Sequence, residues 1–147
     1  MTVYELIEKH EGRRNRKYRC PAGAWTIGVG WNMDANRLPD DISDYLKRNG
    51  EITDTMIDRL LETSIRHATA DCRVLFPAFD TFSDNRRMAL IDFVFQLGFR
   101  RALQFKKTIA AVNTQKWTEA AKEMRNSKWY EQVPNRAKTI TQMIEEG

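Results

Sequence analysis

Between Thr53 or Asp54 and Pro77 the chain carries one unbroken apolar stripe at helical spacing: Ile57, Leu60, Leu61, Ile65, Ala68, Cys72 and Leu75. No Gly or Pro interrupts it, so the stretch predicts a single amphipathic helix with one face in a core. Thr53 or Asp54 supplies the start and Pro77 the stop. A helix of this length is long for a chain of 147 residues. Its natural use is as a strut between two groups of elements.

Upstream of the strut the periodicity changes. Val3, Leu6 and Ile7 fall at helical spacing after Thr2, and Glu5 completes a capping box, so a first helix runs to about Glu11 and stops at Gly12. From Lys17 to Trp31 the period is two, with Trp25, Ile27, Val29 and Trp31 on one face and Thr26, Gly28 and Gly30 on the other. This reads as a hairpin turning at Pro21-Ala22-Gly23, and a loop centred on Gly23 sets Cys20 opposite Thr26. Residues 32–38 either extend a small sheet or form a loop. A short helix follows near Asp40–Arg48, stopped by Asn49-Gly50.

Downstream the pattern is helical to the end. A helix starting near Ser83 carries the run Met88–Leu97, apolar nearly all round and therefore buried on most sides. Asp92 and Gln96 interrupt that run one turn apart on the same face. Further helices are expected at Ala102–Asn113, at Lys116–Met124 with Trp117, Ala120, Ala121 and Met124 inward, and from Pro134 onward. The fold class is mainly α (α+β).

Charge narrows the partners. Lys and Arg number 24 against 20 Asp and Glu, a net charge of +4 that favours a polyanionic partner, with the charges interspersed. No nucleic-acid recognition motif accompanies them. Cys20 and Cys72 form no CxxC pair and lack the companion ligands of a zinc site, so neither a disulfide framework nor a metal is indicated. The first twenty residues are too charged for a secretion signal, and no apolar run reaches the eighteen residues of a spanning helix. The expectation is a chain made in the cytoplasm with no stable membrane insertion.

Taken singly, Glu11 reads as a surface acid, Cys20 as a small buried hydrophobe and Thr26 as a strand residue. At a helix C-terminus the dipole disfavours ionised Glu11, while Arg13, Arg14 and Arg16 favour it. Their spacing carries more: E-GRRNRKYR-C-PAGAW-T, at 11–26, resembles the active-site region of the phage lysozymes of glycoside hydrolase family 24, with its Glu, eight residues, Asp or Cys, five residues, Thr. FVFQLG at 93–98, KW-x-EAA at 116–121 and SKWY-x-Q-x-PNRAK at 127–138 resemble the C-terminal half of the T-even members of that family.

The resemblance implies a two-lobed lysozyme-like fold as a single domain over 1–147. Its N-terminal β-containing lobe spans about 12–53, its helical lobe about 76–147 plus the first helix, with the active site in the cleft between them. It implies a monomeric muramidase acting on bacterial peptidoglycan at the β-1,4 bond between N-acetylmuramic acid and N-acetylglucosamine, without metal or cofactor. Glu11 takes the general-acid position, Cys20 that of the second catalytic group and Thr26 that of a residue placing water. Gly28 and Gly30 leave room for glycan, Asp92 and Gln96 fall on cleft positions, and Arg136 on the basic residue beside the acid. Action at the wall, in the periplasm, then needs a holin or a carrying machine.

Three positions depart from the family pattern. Cys20 stands for the more familiar Asp, Trp31 for a His and His10 for an Asp. A thiolate favoured by Arg16, Lys17 and Arg19 is the form in which Cys20 activates water. A fold that has lost its chemistry through Cys20, a lytic transglycosylase and a nucleic-acid-binding domain are the rival readings.

Overall fold

The computed structural model describes every residue, Met1–Gly147, as nine α-helices and one three-stranded antiparallel sheet in the order β1-β2-β3. The chain divides into two compact units, Met1–Ile65 and Arg66–Gly147. The division falls within the long helix α3 (Asp54–Leu75), for which Thr53 supplies the cap by accepting the Met56 N–H at 3.2 Å.

In the first unit, α1 (Val3–Glu11) begins with the expected capping box. Thr2 Oγ1 accepts from the Glu5 N–H at 3.2 Å and Glu5 Oε1 from the Thr2 N–H at 3.4 Å. Gly12, at φ +79°, ends the helix by donating its N–H to Glu8 O at 2.8 Å. Glu11 is thus the last residue of the helix, one turn beyond buried Ile7 on the same face, with Leu6 buried beside it.

The hairpin differs from the sequence expectation in register and extent. β1 (Arg14–Arg19) pairs with β2 (Trp25–Gly28) as Tyr18↔Thr26 and Arg19↔Trp25. The Gly23 N–H donates to Cys20 O at 2.8 Å and the Cys20 N–H to Ala24 O at 3.0 Å, closing a three-residue loop with Gly23 at φ +89°. Gly23 therefore ends the loop as its left-handed bulge residue and does not centre it. Cys20 consequently lies diagonal to Thr26 on the same sheet face, and Tyr18 takes the place directly opposite.

The strand also stops sooner than its alternation suggests. Gly28-Val29-Gly30 turn the chain and bring β3 (Trp31–Asn32) back along β2 with Ile27 opposite Trp31. Ile27 and Val29 are buried, and Trp31 is buried with its indole N–H on Asn36 O at 3.2 Å. After β3 the chain turns on Asn32, whose Oδ1 accepts from the N–H groups of Asp34 and Ala35. At the other end, β1 shifts register between Arg14 and Tyr18. There Asn15 is tied to Ile52 both ways, by Asn15 Nδ2 to Ile52 O at 2.8 Å and by the Ile52 N–H to Asn15 O at 2.9 Å. Helix α2 (Asp40–Asn49) ends at Gly50 in the left-handed conformation.

The second unit packs α4 (Asp84–Leu97), α5 (Phe99–Leu103), α6 (Lys106–Asn113), α7 (Trp117–Arg125), α8 (Lys128–Gln132) and α9 (Pro134–Glu146). The helix expected over 102–113 is two helices. The chain breaks at Gln104-Phe105, where the Phe105 ring packs edge-on to Phe93 at 5.0 Å. Short α8, capped by Ser127, escaped the periodicity reading because a single turn shows no repeat. Helix α4 buries Leu90, Ile91, Phe93, Val94 and Leu97, side chains worth about 1.5–3 kcal/mol each when fully removed from water.

Candidate active site

Glu11 owes its position to the end of α1 and to the missing side chain of Gly30. A Cβ built on Gly30 would lie 2.9 Å from Glu11 Oε2 and 3.1 Å from Cδ, so the half-buried carboxylate rests against a bare Cα. The arginines weighed against Glu11 from sequence each engage another group. Arg13 pairs with Glu8 at 2.8 Å and Asp58 at 3.0 Å, Arg14 lies over the Tyr18 ring at 4.6 Å, and Arg16 reaches Glu51 at 3.7 Å.

One face of the β1–β2 hairpin carries Tyr18, Cys20 and Thr26. Thr26 is buried, and its hydroxyl donates to Ala24 O at 3.0 Å. Half-buried Cys20 has its thiol pKa lowered, above all by the backbone N–H of Ala24. Burial opposes this, and the Ala22 N–H, the Thr26 hydroxyl and the Gly23 N–H add to it. The lowering thus comes from the turn's own amides and not from Arg16, Lys17 and Arg19. Lys17 and Arg19 project from the opposite face, over the Trp25 ring at 4.6 and 4.3 Å.

Tyr18, absent from the sequence-derived candidates, links these groups. Its hydroxyl pKa is raised first by burial and next by the charge of Glu11, with Arg14 opposing and Cys20 adding to the rise. One side chain therefore feels both Glu11 and Cys20. Its position two residues before Cys20 on a period-two strand is the signal that could have found it.

The space beside both expected glycan-facing glycines is taken by protein. Gly28 is buried at φ +66°, and a Cβ there would lie 3.4 Å from Ile57 Cγ2. Gly30, at φ +68°, faces Glu11 as described. Each backbone adopts a left-handed conformation in which a side chain would be strained.

In the second unit Asp92 is 0 % exposed and Arg136 is buried beside it, with Arg136 Nε and Nη2 both 2.7 Å from Asp92 Oδ1. A carboxylate enclosed in this way makes no direct contact with a glycan in this conformation; it fixes the guanidinium. Gln96, one turn on, is half-buried, and its Oε1 accepts the Trp129 indole N–H at 2.7 Å. The Trp129 ring stands edge-on to Phe93 at 5.0 Å, which holds that donor in place. Trp129 lies in the SKWY motif, yet an aromatic at helical spacing reads first as core, so sequence alone does not single it out as the partner of Gln96. No three His, Cys, Asp or Glu side chains cluster in a way that could hold a metal ion. No helix is long and apolar enough to cross a membrane.

The phage lysozyme family model matches residues 8–142. Probable T4-type lysozyme 1 of Dictyostelium discoideum is 30% identical, with 99% of this chain and 95% of that protein covered, and probable T4-type lysozyme 2 of the same organism is 29% identical over the same shares. The pre-baseplate central spike protein of Enterobacteria phage T4 is 27% identical, the match spanning 100% of this chain and 28% of that protein. With most of its length matched by one family model and its fold of the expected class, the chain belongs to the phage lysozyme family of lysozyme-type hydrolases.

Proposed function

We propose that this chain is a peptidoglycan muramidase that cleaves the β-1,4 bond between N-acetylmuramic acid and N-acetylglucosamine, with Glu11 as general acid and Cys20 and Thr26 holding the water. The observation that supports it most is the hairpin geometry: Cys20 and Thr26 share one face of β1–β2, and the turn that follows Thr26 sets Gly30 against the Glu11 carboxylate. An acid and a second polar group near one another are what hydrolysis of a glycosidic bond requires.

Glu11 gives its proton to the bridging oxygen as the bond from the muramic acid C1 breaks. Water attacks C1 from the other side and passes a proton to the Cys20 thiolate, leaving a reducing end. The Thr26 hydroxyl has one proton and two acceptors for it, Ala24 O and the ionised sulfur. With either, its lone pairs remain to accept a hydrogen bond from that water and fix its orientation. Gln96 contributes a glycan contact with the amide that Trp129 steadies. The Asp92–Arg136 pair acts as a support for the guanidinium.

The test is clearing of outer-membrane-permeabilised Gram-negative cells. The native protein clears them and Glu11→Gln does not, while binding of cells by the native protein without clearing would sink the enzymatic reading. Mass spectrometry of the released fragments shows reducing ends, and 1,6-anhydro ends would instead mark a transglycosylase.

A further inference from the structure

The sheet face opposite Cys20 and Thr26 carries an arrangement for which the hydrolytic reaction has no use. Lys17 and Arg19 both stack on the Trp25 indole, at 4.6 and 4.3 Å, and neither forms an ion pair with a carboxylate. Asp34, in the turn after β3, has its Oδ2 occupied by the Trp25 N–H at 3.1 Å. Arg19 is further fixed by donating from Nη1 to Gly23 O at 2.9 Å. Two like charges held on one ring without an anion repel each other, and an incoming anion relieves that repulsion.

The adjoining loop tells which kind of anion. Pro21, Ala22 and Gly23 form its exposed tip, and from Pro21 to Met33 there is no charged side chain. Trp25 is half-buried just behind the tip, and the strand leading to it carries Arg14, Arg16, Lys17 and Arg19 within β1. Small apolar residues at the tip, then an indole level with Arg19, then Lys17 and the further cations of β1 follow the polarity profile of a bilayer from acyl chains through headgroups to water. A soluble polyanion would give the apolar tip nothing to enter.

We propose that the β1–β2 hairpin docks reversibly on an anionic phospholipid surface, Lys17 and Arg19 meeting headgroup phosphates and Trp25 lying at headgroup depth. Cys20 and Thr26 occupy the other face of the same hairpin, turned away from the docking cations. The site holds the enzyme against a membrane bordering the wall without inserting any helix.

Sedimentation with vesicles of phosphatidylglycerol and phosphatidylcholine in equal parts tests this. The native chain pellets with them and not with pure phosphatidylcholine vesicles. The Lys17→Gln/Arg19→Gln double variant loses about thirtyfold in partitioning, the loss of two headgroup contacts. Lys47→Gln/Arg48→Gln, with the same charge change on α2, keeps its partitioning. Brominated lipid quenches native fluorescence, and Trp25→Phe removes that quenching. Unaltered thermal unfolding and digestion of lipid-free sacculi confirm that the double variant is folded. Equal pelleting with both lipids, equal loss in the α2 variant, or binding of soluble polyphosphate as strong as that of vesicles would each overturn the proposal.

Discussion

Glu11 and Gly30 are in such close apposition that one methyl group at position 30 would come within 2.9 Å of the Glu11 carboxylate. Gly30→Ala therefore combines backbone strain at φ +68° with displacement of the acid. The expected cost is about 1–2 kcal/mol in urea unfolding from the left-handed backbone, with a further 10- to 100-fold fall in clearing rate, on the order of what misplacement of a catalytic group by an ångström costs. Gly50→Ala separates the two effects: its φ is +74° but nothing lies within 4 Å, so it loses stability and keeps activity.

The direction of the Cys20 shift fixes the sign of a pH effect. Water activation needs the thiolate, so the rate rises as pH passes upward through a Cys20 pKa that the Ala24 N–H and its neighbours hold below the ordinary thiol value. Cys20→Asp moves that rising limb down toward the carboxylate range, near 4 for an unperturbed Asp by the usual scale of about 3.9. Full activity in Cys20→Ser, or a native profile without the limb, would rule out the thiolate role.

The two cysteines are chemically unlike. Cys72 is 0 % exposed in α3 and burial pushes its pKa far up, whereas Cys20 is partly exposed with its pKa lowered. Iodoacetamide at neutral pH should add one carbamidomethyl group, on Cys20, and abolish clearing. Peptide mapping that found Cys72 labelled first in the folded protein would contradict this packing.

Asp92 and Arg136 form a buried pair, so removing either charge leaves the other stranded. Asp92→Leu is expected to cost about 3–5 kcal/mol in urea unfolding, and Asp92→Leu/Arg136→Met to recover most of it. If the pair also serves the reaction, the recovered double variant stays slow in the clearing assay. Recovery of both stability and rate would make the pair purely structural.

Much of the fold was legible because it is written in short-range chemistry. Thr2 with Glu5, the stop at Gly12 and the Gly50 cap announce helix ends directly, and the α3 stripe has enough turns to reveal its period. The hairpin register was not legible, since Gly23 fits equally as the centre or the last residue of a loop and only the Gly23-to-Cys20 hydrogen bond decides. The break at Phe105 and the one-turn α8 depend on tertiary contacts that no local pattern carries. At the candidate site, Glu11, Cys20 and Thr26 are singled out by their spacing as candidates, while Tyr18 and Trp129 are hidden because strand and core both favour aromatics. The glycines were recognised as needing to be small, but what fills the space beside them became known only from the neighbours, Glu11 and Ile57.

The irregularity between Arg14 and Tyr18 bears on how this hairpin can change over generations. It separates a register of Arg14 with Gly28 from one of Tyr18 with Thr26. A residue gained or lost ahead of Tyr18 is absorbed where the ladder is already out of step. One gained between Tyr18 and Thr26 turns every side chain beyond it to the other face, exchanging the thiol side for the cationic side. Length variation is thus affordable on one flank of the hairpin and lethal on the other, so lineages should drift in length before Tyr18 and keep the span to Thr26 constant.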